Sequence, residues 1–300
     1  MLQVALNNAE GIELARNQIE FAVDKLPKSI LIVCAHQDDD TAHPGIIRAA
    51  VENHIPIYFI YLTGGDAGGC DRFYMHSCDA ARAMDFGELR MQEALASLGH
   101  LGVSRENIFF LGLPDGGLGQ IWNNTDVDHP YLSVLLASEH SPYRQAAIPN
   151  LAYSRQPVVR ALEQLIKRFQ PDLIITGHPD ERHVDHRVNN WLVVKAMQNL
   201  LRQELLSPNT ELLVDRVYGE RPGVRAPYRY QKDTFFVSGE VAKLGQEARW
   251  YYQSQDGNHQ QADIKGFPKL PRQEPYPHFQ ILDWQEHEGW NEEAAAAQAH

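Results

Sequence analysis

Two apolar runs of strand length, each broken off by a cluster of acids and histidines, constrain this chain more than any other feature. Residues 29–34 end in Ala35-His36-Gln37-Asp38-Asp39-Asp40. Residues 172–177 end in His178-Pro179-Asp180-Glu181-Arg182-His183-Val184-Asp185-His186-Arg187. Short runs dominated by Ile, Leu and Val read as strands buried on both faces, and such strands belong to parallel sheets covered by helices.

The intervening segments support that reading. Residues 57–62, 107–111 and 212–218 repeat the strand pattern. Helical spacing predicts helices over 11–25 (Ile12, Leu14, Ala15, Ile19, Ala22, Val23), 78–101, 154–169 and 184–205, and Pro44 suits the first turn of another over 44–53. Strand and helix therefore alternate, which predicts an α/β fold: a Rossmann-like, mostly parallel sheet with helices on both faces. Crossovers in such sheets are right-handed, so all strand C-terminal ends face one side and both clusters fall there. Residues 1–220 are expected to form this core. Residues 221–300 form a less regular extension packed on it, with a strand at 234–237, a helix at 239–252 and a disordered tail after 292.

Composition narrows the partners. A chain of 300 residues with 43% hydrophobic content can bury a large core. Its net charge of −12 and pI near 5.6 argue against a nucleic-acid or anionic-membrane surface, and the basic spot at 221–229 reads as a solvated loop. No run is long enough to span a membrane, and residues 1–28 lack a basic leader, so a cytoplasmic protein acting on a small molecule is expected. A homo-oligomer is left open. Of three cysteines, Cys34 reads as a buried hydrophobe. Cys70 and Cys78 can pair in an oxidising compartment or stand as free thiols.

Two loops stand out. The glycine-rich stretch 63–69 lacks the Lys-Ser/Thr ending of a phosphate-binding loop and reads as flexible backbone near a pocket. The polar stretch from 112 to 153 has no clear strand period, and loops this long are lids, binding loops or insertions. It is the candidate for substrate selection.

Imidazoles and carboxylates gathered at strand ends suit a catalytic divalent metal, which takes three protein ligands and leaves a position for water. The pool is His36, Asp38, Asp39 and Asp40 from the first cluster with His178, Asp180, His183, Asp185 and His186 from the second. Adjacent residues point in different directions, so Asp38 and Asp39 take different tasks. His183 and His186 share a helix face, about 5–6 Å apart at Cβ, if the helix has begun. Each cluster alone could be a helix cap or a solvated turn; two at one sheet edge point to a site.

Here the residues resemble a known family. Ala35 to Asp40 is similar to the AHPDDE signature of the LmbE-like, or PIG-L, zinc-dependent de-N-acetylases, and His183-Val184-Asp185-His186 to their HxDH motif. Residues 63–68, 111–116 and the late helix 243–255, ending Tyr252-Gln253-Ser254-Gln255, resemble further family segments. The resemblance implies that His36, Asp39 and His186 hold Zn2+, or another divalent transition metal, and that Asp38 is the general base. By the same resemblance, His183 stabilises the oxyanion or assists the departing amine, and Asp185 orients an imidazole. Arg90, Asp66 and Asp115 would touch the substrate. Gln37 replaces the family's proline, and Asp40 stands for its glutamate, a methylene shorter.

The expected activity is therefore removal of an acetyl or similar acyl group from an amino sugar or sugar conjugate of the N-acetylglucosamine type. One rival is an amide hydrolase on a non-sugar acylated amine, and another is an inactive sugar-binding or regulatory homologue. A nucleotide-binding oxidoreductase ranks below both, because His36-Gln37-Asp38 stands where its glycine-rich turn belongs.

Overall fold

A computed structural model describes residues 27–215, 217–218, 230–232, 239–255 and 280–282. The chain runs through β1 (Ile30–Cys34), α1 (Pro44–Glu52), β2 (Ile57–Thr63), the short α2 (Cys70–Tyr74) and α3 (Ala80–His100). It continues through β3 (Ile108–Leu113), α4 (Leu118–Asn123), α5 (Arg155–Phe169), β4 (Leu173–Gly177), α6 (Val184–Arg202) and β5 (Glu211–Asp215). Beyond these lie β6 (Tyr230–Lys232), α7 (Gly239–Arg249) and β7 (Gln280–Leu282). The expected helix over 11–25, the strand at 234–237, the basic spot at 221–229 and the tail after 292 lie outside the described residues.

The strands form one sheet in the order β3-β2-β1-β4-β5-β7-β6. The first five are parallel, and β7 pairs antiparallel with both β5 and β6. Alternation along each strand divides the core between the two faces. Leu31 and Val33 pack toward α4, α5 and α6, whereas Ile30, Ile32 and Cys34 pack toward α1, α3 and α7. Helices thus cover both faces, as the alternation of elements predicts.

Local chemistry explains most boundaries. Pro44 opens α1, where its missing N–H costs no helical hydrogen bond. Asp79 caps α3 by accepting from the Arg82 N–H at 2.9 Å. The apolar stripe of α3 (Ala83, Phe86, Met91, Ala94, Leu98) recurs at helical spacing and is fully buried. Residues 70–74 form a separate turn of helix because Gly69 and Met75, on either side of it, adopt left-handed backbone. Strand β3 runs on to Leu113, two residues past the expected end. Gly112, at φ 68°, absorbs a register shift against β2 and lets pairing resume.

The long polar stretch is more structured than its composition suggests. It contains α4, and Ala146 bridges to Phe110 while the Ala147 N–H donates to the Phe110 carbonyl at 2.7 Å, covering the outer edge of β3. Cys70 and Cys78 are joined as a disulfide, a bond that persists in oxidising compartments. Among the described residues no helix is long and apolar enough to cross a membrane.

Because β1 is central and Ile32 is fully buried on the α1 and α3 face, Ile32→Ala should cost about 2–5 kcal/mol in urea unfolding. A loss below about 1 kcal/mol would mean that this face is not tightly packed.

Candidate metal and hydrolase site

The strand order reverses between β1 and β4. From β1 the chain steps to β2 and β3 on one side, then returns to place β4 on the other. Ligand sites of open α/β sheets lie outside the strand ends at such a reversal. β1 and β4 run level, with Ile30 beside Leu173 and Val33 beside Thr176, so the two clusters emerge next to each other.

After β1 the chain turns through a 3₁₀ segment, Gln37–Ala42, with His36 at its N-cap. The His36 N–H donates to Asp39 Oδ2 at 2.8 Å, which fixes Asp39 against the turn. Gln37 is fully buried, and its Nε2 donates to the Thr63 carbonyl at 2.8 Å. This residue, at the position where the resembling family has proline, thereby ties the first cluster to the end of β2. Asp40 is also buried and accepts from the Tyr61 and Tyr252 hydroxyls at 2.7 and 2.6 Å. It anchors the turn from behind and connects it to the segment after α7.

After β4 the second cluster forms a turn in which His178 contacts Asp180 and the Glu181 N–H donates to the His178 carbonyl. His183 then caps α6, and Asp185 and His186 lie in its first turn. A Cβ on Gly177 would stand 2.8 Å from the His186 carbonyl oxygen, so glycine allows the first turn of α6 to press onto the strand end.

The two clusters meet at His36 and His186, whose Nδ1 and Nε2 atoms are 3.1 Å apart. The outer nitrogen of each ring is braced by carboxylates. His186 Nδ1 is 3.1 Å from Glu181 Oε1, and His36 Nε2 is 3.1 Å from Asp115 Oδ1 and 3.3 Å from Asp185 Oδ2. These contacts favour protons on the outer nitrogens, which would turn two lone pairs toward each other. Asp39 adds negative charge, with Oδ1 3.4 Å from His186 Nε2 and Oδ2 3.9 Å from His36 Nδ1. Facing lone pairs beside a carboxylate repel one another unless a cation lies among them, so the donor set fits a divalent metal.

Two sets of ligand atoms lie within 4.8 Å of one another: His36, His183 and His186, and His36, Asp115 and Asp185. The His183 ring stands edge-on to His36 at 5.0 Å, and its buried Nδ1 has no hydrogen-bond partner among the described residues. Asp185 also accepts from the Gly116 and Leu118 N–H groups at 2.7 and 3.2 Å, so its carboxylate is held from two sides.

Asp38 receives Arg90 Nη2 on its Oδ1 at 2.6 Å. Burial disfavours its charge, but Arg90 and then His36 outweigh burial and hold the carboxyl below its ordinary range. For His36, burial is likewise outweighed, by Asp115, Asp185 and Asp39, and its affinity for a proton rises. His183 moves the other way. Burial, followed by the nearby His36 and His186, lowers it. Its surroundings therefore favour the neutral ring.

The three residues expected to touch substrate are engaged within the protein. Arg90 is buried, with Nη1 on the Gly65 carbonyl and Nη2 on Asp38. Asp66 receives the Tyr143 hydroxyl and the Asp115 N–H, and Asp115 lies on His36 while accepting from Gly68. Two neighbours of the site were not singled out from sequence. Glu181 sits inside the second cluster but had no partner to mark it. Tyr218 follows β5, and its ring stacks on His183 at 5.4 Å while its N–H donates to Glu181.

A family model described as PIG-L, GlcNAc-PI de-N-acetylase, matches residues 31–197. No curated protein sequence matches the chain significantly. Among solved structures, the fold is similar to a triple mutant of a deacetylase of the teicoplanin biosynthetic pathway (TM-score 0.57, 16% identity, covering 85% of this chain and 97% of that one). It is also similar to N,N'-diacetylchitobiose deacetylase from Pyrococcus horikoshii in complex with an inhibitor (0.56, 17%, 93% and 95%). The zinc-inhibited form of the teicoplanin deacetylase compares at 0.54 and 17%, with 85% and 97% coverage. These likenesses establish the mostly parallel α/β fold.

Burial, then the charge of Asp115, pushes Asp66 up to about 8. Between about 4 and about 8 the unfolded chain has lost this proton while the folded one keeps it, so stability falls as pH rises across that window. Asp66→Asn should remove a slope of roughly 1.4 kcal/mol per pH unit from the stability curve measured by urea unfolding. Parallel curves for the two proteins would contradict a neutral buried Asp66.

Proposed function

The chain belongs to the PIG-L family, and from that membership we propose that it is a metal-dependent hydrolase. It removes an acetyl or similar acyl group from the amide nitrogen of an amino sugar or sugar conjugate. One observation carries the reading: His36 and His186 meet at 3.1 Å with both outer nitrogens on carboxylates, next to an ionised Asp38. The deacetylases that share the fold, and the family's description, support the choice of an N-acyl sugar as substrate.

In this reading His36, Asp39 and His186 would hold the metal, and two imidazoles with one carboxylate suit Zn2+. When bound, such an ion supplies Lewis acidity toward an amide carbonyl and acidifies water.

The protein's own groups manage protons and charge. Arg90 fixes Asp38 and keeps it ionised, while a third of the Asp38 side chain stays accessible. Asp38 can therefore accept a proton from the attacking water and pass it to the departing nitrogen as the C–N bond breaks. The water oxygen leaves in acetate, and the amine leaves with the proton. His183, neutral before reaction, offers a ring N–H to the developing oxyanion, a role that needs no prior protonation. Asp185 and Asp115 keep His36 in one tautomer, and Glu181 does the same for His186.

Asp38→Ala should keep its metal, read by elemental analysis, while acetate release falls by about 10²–10⁴-fold. Unchanged turnover would remove Asp38 from the mechanism. Mass spectrometry of products from N-acetylated amino sugars and from acylated non-sugar amines decides the substrate class, and turnover of the second group alone would overturn the sugar assignment.

A further inference from the structure

The long segment between Asn123 and Arg155 sends one side chain toward the site. Tyr143 is almost wholly buried and lies in a slot cleared by three glycines from three different parts of the fold. A Cβ on Gly64, just after β2, would stand 2.6 Å from its hydroxyl, and one on Gly112, in β3, 2.7 Å from its ring. A Cβ on Gly87, inside α3, would come closer still. Gly87 has ordinary helical surroundings, where alanine is favoured by about 1 kcal/mol. Its lack of a side chain is explained by the ring it admits.

At the end of the slot the Tyr143 hydroxyl donates to Asp66 Oδ2 at 2.9 Å. The other oxygen of Asp66 accepts the Asp115 N–H at 3.2 Å, and Asp115 Oδ1 lies 3.1 Å from His36 Nε2. The backbone around Asp66 is used as well. The Gly68 N–H holds Asp115 Oδ2 at 2.7 Å, and the Gly65 carbonyl holds Arg90, which in turn grips Asp38. One loop thus orders a metal-facing imidazole on one side and the proton acceptor on the other.

We propose that Tyr143 is a positioning residue of the site: its hydroxyl fixes Asp66 and the loop around it, which sets Asp115 on His36 and Arg90 on Asp38. The inference rests on the metal-site reading above. It gives the long segment a supporting role rather than that of a lid.

The test is a zinc titration of metal-free full-length protein by calorimetry, with acetate-release kinetics and thermal melting on the same samples. Tyr143→Phe keeps the ring in the slot and removes only the hydroxyl. Zinc affinity should fall about tenfold, at the low end of the 10–100-fold range for outer contacts of a metal ligand. A comparable fall in kcat should accompany it, with KM changed less than about twofold. In an Asp66→Ala background the Tyr143→Phe loss should vanish, because the hydroxyl acts through Asp66.

Wild-type affinity and kcat in Tyr143→Phe, with or without a lower melting temperature, would reduce Tyr143 to a space-filling residue and overturn the proposal. Additive losses in the double variant would overturn it as well. Failure of the wild-type protein to bind zinc would sink the metal-site reading and this inference with it, whereas normal wild-type binding with an unaffected Tyr143→Phe sinks the inference alone.

Discussion

Everything at the site depends on the parallel pairing of β1 with β4. These strands are remote in sequence, and their level register brings two loops to the one place where the sheet changes direction. A shift by one residue would exchange the two buried faces of β1, setting Leu31 and Val33 into the packing shaped for Ile30 and Ile32, and would send His36 to the opposite side of the sheet. The burial of Leu31 and Val33 on one face and of Ile30 and Ile32 on the other therefore fixes the position of the chemistry as firmly as it fixes the fold.

Around that junction the protein gathers an unusual density of carboxylates, and burial sorts them by charge. Asp40, Asp66 and Asp215 are each pushed up to about 8, chiefly by burial, and serve as neutral partners in the packed layer. Asp38 and Asp115 stay ionised because Arg90 and His36 more than offset the same penalty. Chemically identical side chains a few ångströms apart thus do different work. The arginine matters as much as the acids, since without it Asp38 would share the fate of Asp40.

Much of this was legible in the chain. The Ile- and Val-rich runs, Pro44 at a helix start and the stripe from Ala83 to Leu98 each carry a local signal strong enough to place an element. The 3₁₀ turn after β1 lies where the first cluster begins, and α6 starts at Val184, as its spacing predicts. What stayed hidden depended on contacts between distant segments. Glu181 is one acid among several until His186 Nδ1 is seen against it. Tyr218 and Tyr143 look like ordinary aromatics until one stacks on His183 and the other fills a slot of three glycines. Arg90, Asp66 and Asp115, which the resemblance makes substrate contacts, also bond to Asp38, Tyr143 and His36, and those partners lie in segments remote in sequence.

The sequence by itself determined the alternating α/β architecture and the pool of acids and imidazoles, because periodicity and residue chemistry are local properties that survive without a partner. Tertiary structure alone decided how that pool divides. Which imidazoles face each other, which carboxylates keep their charge and which loop holds Asp115 on His36 all follow from distances between segments separated by as many as 212 residues. Desolvation and Coulomb interactions act through space, and neither can be read until the chain has folded.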